Sequence, residues 1–329
     1  MWGSLAAAVM KSVARLALVI VLTLLCLEAF ARLTYEAPWY ERLIEDQRPG
    51  HAEIHKNGLG LRGPEYREPK PPGTKRVLVL GDSFTFGNGV GDDQAVFSRR
   101  LESQLRADGL DVQVLNGGLP GSLTADWVAL FDRVQPAFQP DVVLIVFFLR
   151  DGTRTAAMTD FFGPIRDDIV ARNRASWLYS RSALVRLVRD RFDRLRISRD
   201  FSQAIRQGYL GTPEQQREWR NAQENLRSLR ERAARSGARA GLVVFPILAG
   251  LDDPSYPFAD VCSTLDEYAR REGLPLLDLL PAFRGRSSPE LWVSAANQHP
   301  NAEGHRIAAE AIRPFLEDLL RSAAASSSP

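Results

Sequence analysis

The stretch RVLVLGDSFTFG, residues 76–87, sets the apolar run Arg76–Leu80 directly against Gly81-Asp82-Ser83-Phe84-Thr85-Phe86-Gly87. Aliphatic side chains in succession predict a strand buried on both faces, and strands of that kind belong to parallel sheets covered by helices. The glycines flanking Ser83 predict a sharp turn that exposes its hydroxyl at the strand end.

Outward from this stretch the pattern alternates. An amphipathic helix is expected over 92–108, closed by Gly109, and a second strand over 112–115. A helix over 124–134 and a strand over 142–148, apolar on both faces, follow. Residues 149–210 interrupt the rhythm with eleven arginines between Arg166 and Arg206, interleaved with Trp177, Leu178, Leu184, Leu187, Phe192 and Leu195, and predict a helical insertion at about 151–210. Thr212-Pro213-Glu214-Gln215 reads as a helix start, with Thr as cap and Gln three residues on. That helix should stop at Gly237. A strand over 241–247, a helix over 258–272 ended by Gly273, a short strand over 274–277 and a last helix from Asn301 to about Leu320 complete the series. Strands alternating with helices predict an α/β fold with a parallel sheet of about five strands.

The N-terminal region reads differently. Residues 16–27, LALVIVLTLLCL, carry no charge, with Lys11 and Arg15 before them and Glu28 and Arg32 after. The run suits a transmembrane anchor over 1–33, with the cationic end inside and the remainder exported. A cleaved signal is the rival, since Ala29-Phe30-Ala31 has the small-x-small form. Residues 34–73 are rich in Pro, Gly and charge and are expected as a spacer, leaving a domain over 74–320 and a disordered tail over 321–329.

Composition excludes several classes. With 42 Lys+Arg against 40 Asp+Glu, the formal charge of +2 gives no excess of cation for general nucleic-acid binding. Two cysteines, Cys26 and Cys262, build no disulfide framework, and four scattered histidines make a metal centre improbable. No cofactor is expected.

Ligands on open parallel sheets bind beyond the carboxyl ends of the strands. Three such ends carry unusual sequence here: GDSFTFG after the first strand, NGGLPG over 116–121 after the second, and Phe148-Leu149-Arg150-Asp151 after the third. Asn297-Gln298-His299-Pro300-Asn301 precedes the final helix. Together they suit acyl transfer: Ser83 as nucleophile, His299 as its base, and the N–H groups of Ser83 and Gly118 converging on an oxyanion. The bland alternatives are a helix cap at a phosphate or sugar site for GDS, and a polar helix cap for His299. His305 reads as structural.

GDSFTFG, NGGLPG and HPNAEGH, taken in order, resemble the nucleophile, glycine and histidine blocks of the SGNH/GDSL hydrolase superfamily over about residues 74–320. The resemblance extends to its membrane-anchored bacterial branch, through NGLGLRGPE at 57–65. It implies a three-layer α/β/α sandwich of flavodoxin-like form, Ser83 as nucleophile, Gly118 as an oxyanion donor and His299 as the base. Two positions depart from the family pattern. Arg150 stands where an oxyanion Asn is usual, and its guanidinium also donates. Asn297 stands where an Asp usually precedes the histidine; it can orient His299 but cannot stabilise the imidazolium by charge.

The expected function is therefore serine ester hydrolysis outside the cytoplasm, on an acylated small molecule or a carbohydrate or lipid ester. One alternative is O-acyl transfer to an exported polysaccharide, and another is a catalytically impaired glycan- or lipid-binding module. For the basic segment 177–201, a helix packed on the domain edge competes with a cap that rests on anionic lipid or binds an anionic polymer.

Overall fold

The computed structural model describes residues 2–36, 54–153, 158–295 and 297–326. Two compact units emerge: Met1–Arg42 with Phe161–Asp200, and Leu43–Asp160 with Phe201–Pro329.

The larger unit is built on five parallel strands, β1 (Lys75–Gly81), β2 (Val112–Gly118), β3 (Val142–Phe148), β4 (Arg239–Phe245) and β5 (Leu276–Asp278), in the order β2-β1-β3-β4-β5. Every residue of β3 is buried, as its unbroken apolar sequence requires. The sheet is covered on both faces. Gly241 of β4, paired with Leu144, admits Phe315 and Leu319 of the C-terminal helix α11 (Ala302–Ser326). Phe147, three residues beyond Leu144 and so on the opposite face, meets Trp127 of α4 (Thr124–Phe138) and Trp219 of α8 (Arg217–Arg235) edge-on. Phe147 and Trp127, both fully buried, each contribute roughly 1.5–3 kcal/mol by leaving water.

The first predicted helix is split: Asp92 caps a 3-10 turn over Asp93–Ala95, Val96 is extended, and α3 (Phe97–Ala107) begins only there. The Thr212–Gln215 reciprocal bonds form, with Gln215 Oε1 2.8 Å from Thr212 N, but they close a turn and α8 starts at Arg217. Residues 321–326, expected as tail, continue α11; 327–329 lie outside the described residues. The C-terminus of α9 (Ala259–Glu272) falls where Gly273, at φ 61°, requires. The strand after it starts two residues later than predicted and leads into a single turn, α10 (Leu280–Phe283).

Of the expected spacer, residues 37–53 lie outside the description and 54–73 are folded onto the sheet domain. Asn57 Oδ1 accepts the amides of Leu59 and Leu61 at 3.1 Å each, and Glu65 accepts that of Gly58 at 2.6 Å. This loop delivers Leu61 and Arg62 to the interior, each 2% exposed. The polar residues of 57–65 thus hold a strap in place.

In the smaller unit, α1 (Trp2–Thr34) is a continuous helix whose segment Val9–Thr34 is long and apolar enough to cross a membrane. Ala29-Phe30-Ala31 lies inside it. The insertion supplies α5 (Met158–Ala175), α6 (Trp177–Arg181) and α7 (Ala183–Leu210). Glu28 caps α7: its carboxylate accepts from Ser182 Oγ at 2.7 Å and from the amides of Ala183 and Leu184 at 3.0 Å. Arg32 donates to the Arg181 carbonyl at 2.9 Å, and Tyr35 OH donates to Asp190 at 2.8 Å. The apolar face predicted for 177–201 is not buried: Leu178, Phe192 and Leu195 are 57%, 67% and 54% exposed.

Candidate active site

β1 delivers Ser83. Gly81 must be glycine, because a Cβ there would collide with Thr85 and the Val146 carbonyl of the neighbouring strand. Asp82 then turns the chain, its Oδ1 accepting Phe84 N–H at 2.8 Å, and a single helical turn, α2 (Ser83–Phe86), ends at Gly87 in the left-handed region. Ser83 is the first residue of that turn, so its N–H has no helical partner. The register aligns Gly81 with Gly118 of β2 and Val146 of β3, which brings the ends of three strands level. This is the point of the sheet where strand order reverses, the usual ligand crevice of such folds.

The loop before α11 delivers the histidine. Asn301 Oδ1 caps the helix through the amides of Glu303 and Gly304, each at 3.0 Å, and its Nδ2 ties the loop to the Glu290 and Trp292 carbonyls. His299 Nε2 stands 2.8 Å from Ser83 Oγ, across 216 residues of sequence. Its Nδ1 stands 2.6 Å from Asn297 Oδ1, which also accepts the His299 backbone N–H at 3.3 Å. Both contacts require the amide oxygen there, so Nδ1 carries the proton and Nε2 offers a lone pair to the serine hydroxyl. Burial, and then the positive charge of Arg150, hold the His299 pKa down at about 4. The imidazole is neutral at pH 7, as a base must be.

Arg150 lies in a 3-10 turn (Leu149–Gly152) after β3, 8% exposed. Its Nη2 is 3.8 Å from Asp82 Oδ2, it lies over the Phe148 ring, and its Nε is buried with no hydrogen-bond partner among the described residues. Burial raises the pKa of Asp82 in spite of the guanidinium, and burial together with Asp82 raises that of Asp151. Among the described residues, Arg150 is thus the cation set among two buried carboxyls and the catalytic-type histidine.

Gly118 does not present a free amide. Its N–H is bonded to Asn116 Oδ1 at 2.9 Å, and its missing side chain lets the strand end press against Phe86. The expected donor is occupied because Asn116 folds back on its own strand end. Three residues on, Gly121 is exposed with φ 78°, and its N–H has no acceptor among the described residues.

Arg62 was also missed. Its Nη1 donates to the Phe86 and Gly87 carbonyls at 3.1 and 2.8 Å, its Nη2 to that of Val90 at 2.6 Å, and its Nε pairs with Asp93 at 2.6 Å. It therefore ties down the carbonyl end of the turn that bears Ser83. His305 is fully buried, stacked on Phe97, with Nδ1 3.4 Å from the Phe97 amide. Ala296 lies outside the described residues. Among the described residues no three His, Cys, Asp or Glu side chains are grouped to hold a metal ion.

A doubly wound sheet with serine, histidine and an amide oxygen in hydrogen-bonded line at its switch point defines the class of serine acylhydrolase-like α/β proteins. Residues 79–307 match the GDSL-like lipase/acylhydrolase family, and the chain belongs to it. It is also 32% identical to an arylesterase of Vibrio mimicus over 81 residues, 25% of this chain and 40% of that protein. Similar solved structures include a lipase/acylhydrolase from Enterococcus faecalis, at 16% identity and TM-score 0.45 over 74% of this chain and 96% of that one. An acetylxylan esterase from Geobacillus stearothermophilus shares 17% identity, with TM-score 0.44 over 75% and 95%.

Proposed function

We propose that the chain is a serine ester hydrolase anchored in a membrane through α1, with its catalytic domain on the non-cytoplasmic side. The observation that carries the reading is the line Ser83 Oγ, His299 Nε2, His299 Nδ1, Asn297 Oδ1, with steps of 2.8 and 2.6 Å. His299 takes the Ser83 proton as the hydroxyl attacks the ester carbonyl. The acyl–Ser83 ester forms, and the leaving alcohol departs with the proton that His299 returns. Water, deprotonated by the same histidine, then releases the acid and regenerates Ser83. The amides of Ser83 and Gly121 are the oxyanion donors, with Arg150 adding positive charge, while Gly118 serves only by exchanging its bond to Asn116. Asn297 is a positioning residue.

Orientation of the span follows Lys11 and Arg15, which favour the cytoplasmic side. A reporter enzyme fused after Pro329, active only when exported, tests it.

The test of the chemistry uses the full chain with p-nitrophenyl acetate, with and without an acidic oligosaccharide as acceptor. Ser83→Ala and His299→Ala should each lower turnover by about 10³-fold or more. Equal release by wild type and Ser83→Ala would overturn the reading, and acetyl appearing on the sugar would replace water as the acceptor.

A further inference from the structure

The insertion carries a cleft that the ester chemistry does not use. Between α5, α6 and α7 lies a cavity of about 570 Å³ whose walls are Leu178, Leu184, Val185, Val188 and Phe192. Arg172, Arg189, Ser176 and Asp193 complete its lining. A volume of this size with apolar walls and a few polar groups is typical of small-ligand sites.

With two arginines against one aspartate, its lining carries a net positive charge. Asp193 is engaged by Arg172 at 2.6 Å, and Asp190 accepts from both Tyr35 and Tyr179. Among the described residues, the ion pairs of this unit are Arg32–Glu28, Arg166–Asp167, Arg172–Asp193, Arg196–Asp200 and Arg199–Asp200. Arg181, Arg186, Arg189, Arg191 and Arg194 stand outside them among the described residues. Arg189 lies at the cleft with its Nη1 buried and without a hydrogen-bond partner.

The position of the cleft along α1 is fixed by contacts within the unit. Glu28 and Arg32 hold the start of α7 and the end of α6, and both residues belong to the last turns of the apolar helix, just past the uncharged run that ends at Leu27. The end of a span lies at headgroup level, where Trp and Arg are favoured. There Trp177 is 65% exposed, and the cleft residues Leu178 and Phe192 are 57% and 67% exposed.

We propose that this cleft binds an anionic phospholipid of the membrane that α1 enters, an acyl chain lying along Leu178, Val185, Val188 and Phe192 and the phosphate meeting Arg189. Apolar side chains exposed next to uncompensated arginines, at the depth where acyl chains meet headgroups, match that ligand at both ends. The proposal rests on α1 being a membrane span, which alkaline carbonate extraction of the full chain tests separately.

The experiment is native mass spectrometry of the full chain in detergent micelles, titrated with phosphatidylglycerol or phosphatidylcholine. One phosphatidylglycerol should bind at least about 10-fold more tightly than phosphatidylcholine. Arg189→Glu should erase that preference and Arg189→Lys should largely keep it, while Val185→Trp, filling the cleft, should weaken both lipids about 10-fold. Circular dichroism of each variant monitors its helix content. Equal binding of the two lipids by wild type would overturn the proposal. So would an unchanged preference in well-folded Arg189→Glu, displacement of the lipid by an acidic oligosaccharide, or a protein dimer in place of the lipid adduct.

Discussion

Asn297 Oδ1 and His299 Nδ1 are 2.6 Å apart, and the same oxygen takes the histidine's own backbone amide. The amide fixes tautomer and orientation as a carboxylate would, yet supplies no negative charge. With burial and Arg150 both acting against the imidazolium, His299 is a weak base held at a pKa of about 4.

The pH dependence follows. The base works deprotonated, so kcat/KM should stay flat from about pH 8 down to about 5 and fall through an acid limb near 4. Stability has the same sign. His299 and His305, at about 4 and about 3 when folded against 6.5 in an unfolded chain, favour the native state fully above pH 6.5. As pH falls below 6.5 the unfolded chain gains protons the native one refuses, at up to about 1.4 kcal/mol per pH unit for each histidine. Urea unfolding between pH 8 and 5 should record that loss, and a midpoint unchanged over that range would count against it.

Asn297→Asp should restore the missing charge. Turnover of an activated ester should rise by roughly 10²- to 10⁴-fold, and the acid limb should move upward as the imidazolium becomes easier to form. The pH–rate profile of the variant measures both together.

Arg150→Met removes the cation that acts on both Asp82 and Asp151. Both carboxyls are buried and already raised in pKa, so the variant should lose about 3 kcal/mol at pH 8. The loss should shrink at pH 5, since groups with raised folded pKa values cost least where they are protonated. Chemical denaturation at the two pH values separates these outcomes.

Arg62→Gln should slow catalysis without touching the substrate. Loss of its bonds to the Phe86, Gly87 and Val90 carbonyls frees the turn that carries Ser83, and a displacement near 1 Å costs about 10²-fold in kcat. KM should change far less, and steady-state kinetics on a small ester will show the split.

The sheet and the Ser83–His299 pair were legible because they depend on local signals: apolar runs, glycines that permit close approach, and an Asn cap before the last helix. The contact of Asn297 with His299 was expected from the family resemblance, in which an acidic residue usually precedes the histidine. What escaped depends on partners distant in sequence. Nothing local marks Arg62 as a clamp on carbonyls some 25 residues away, nor tells that Asn116 occupies the Gly118 amide. The apolar spacing over 178–195 correctly predicted helix but not burial, since periodicity says where side chains align and not what lies opposite them. Glu28, read only as the polar end of an apolar run, proved to be the cap of α7.

The central claim is that Ser83 is a nucleophile activated by His299. Intact-mass and peptide analysis of the full chain after reaction with a fluorophosphonate tests it most directly. The account predicts one stoichiometric adduct on Ser83, absent in Ser83→Ala and strongly slowed in His299→Ala. An unlabelled wild type, or equal labelling of wild type and Ser83→Ala, would contradict it.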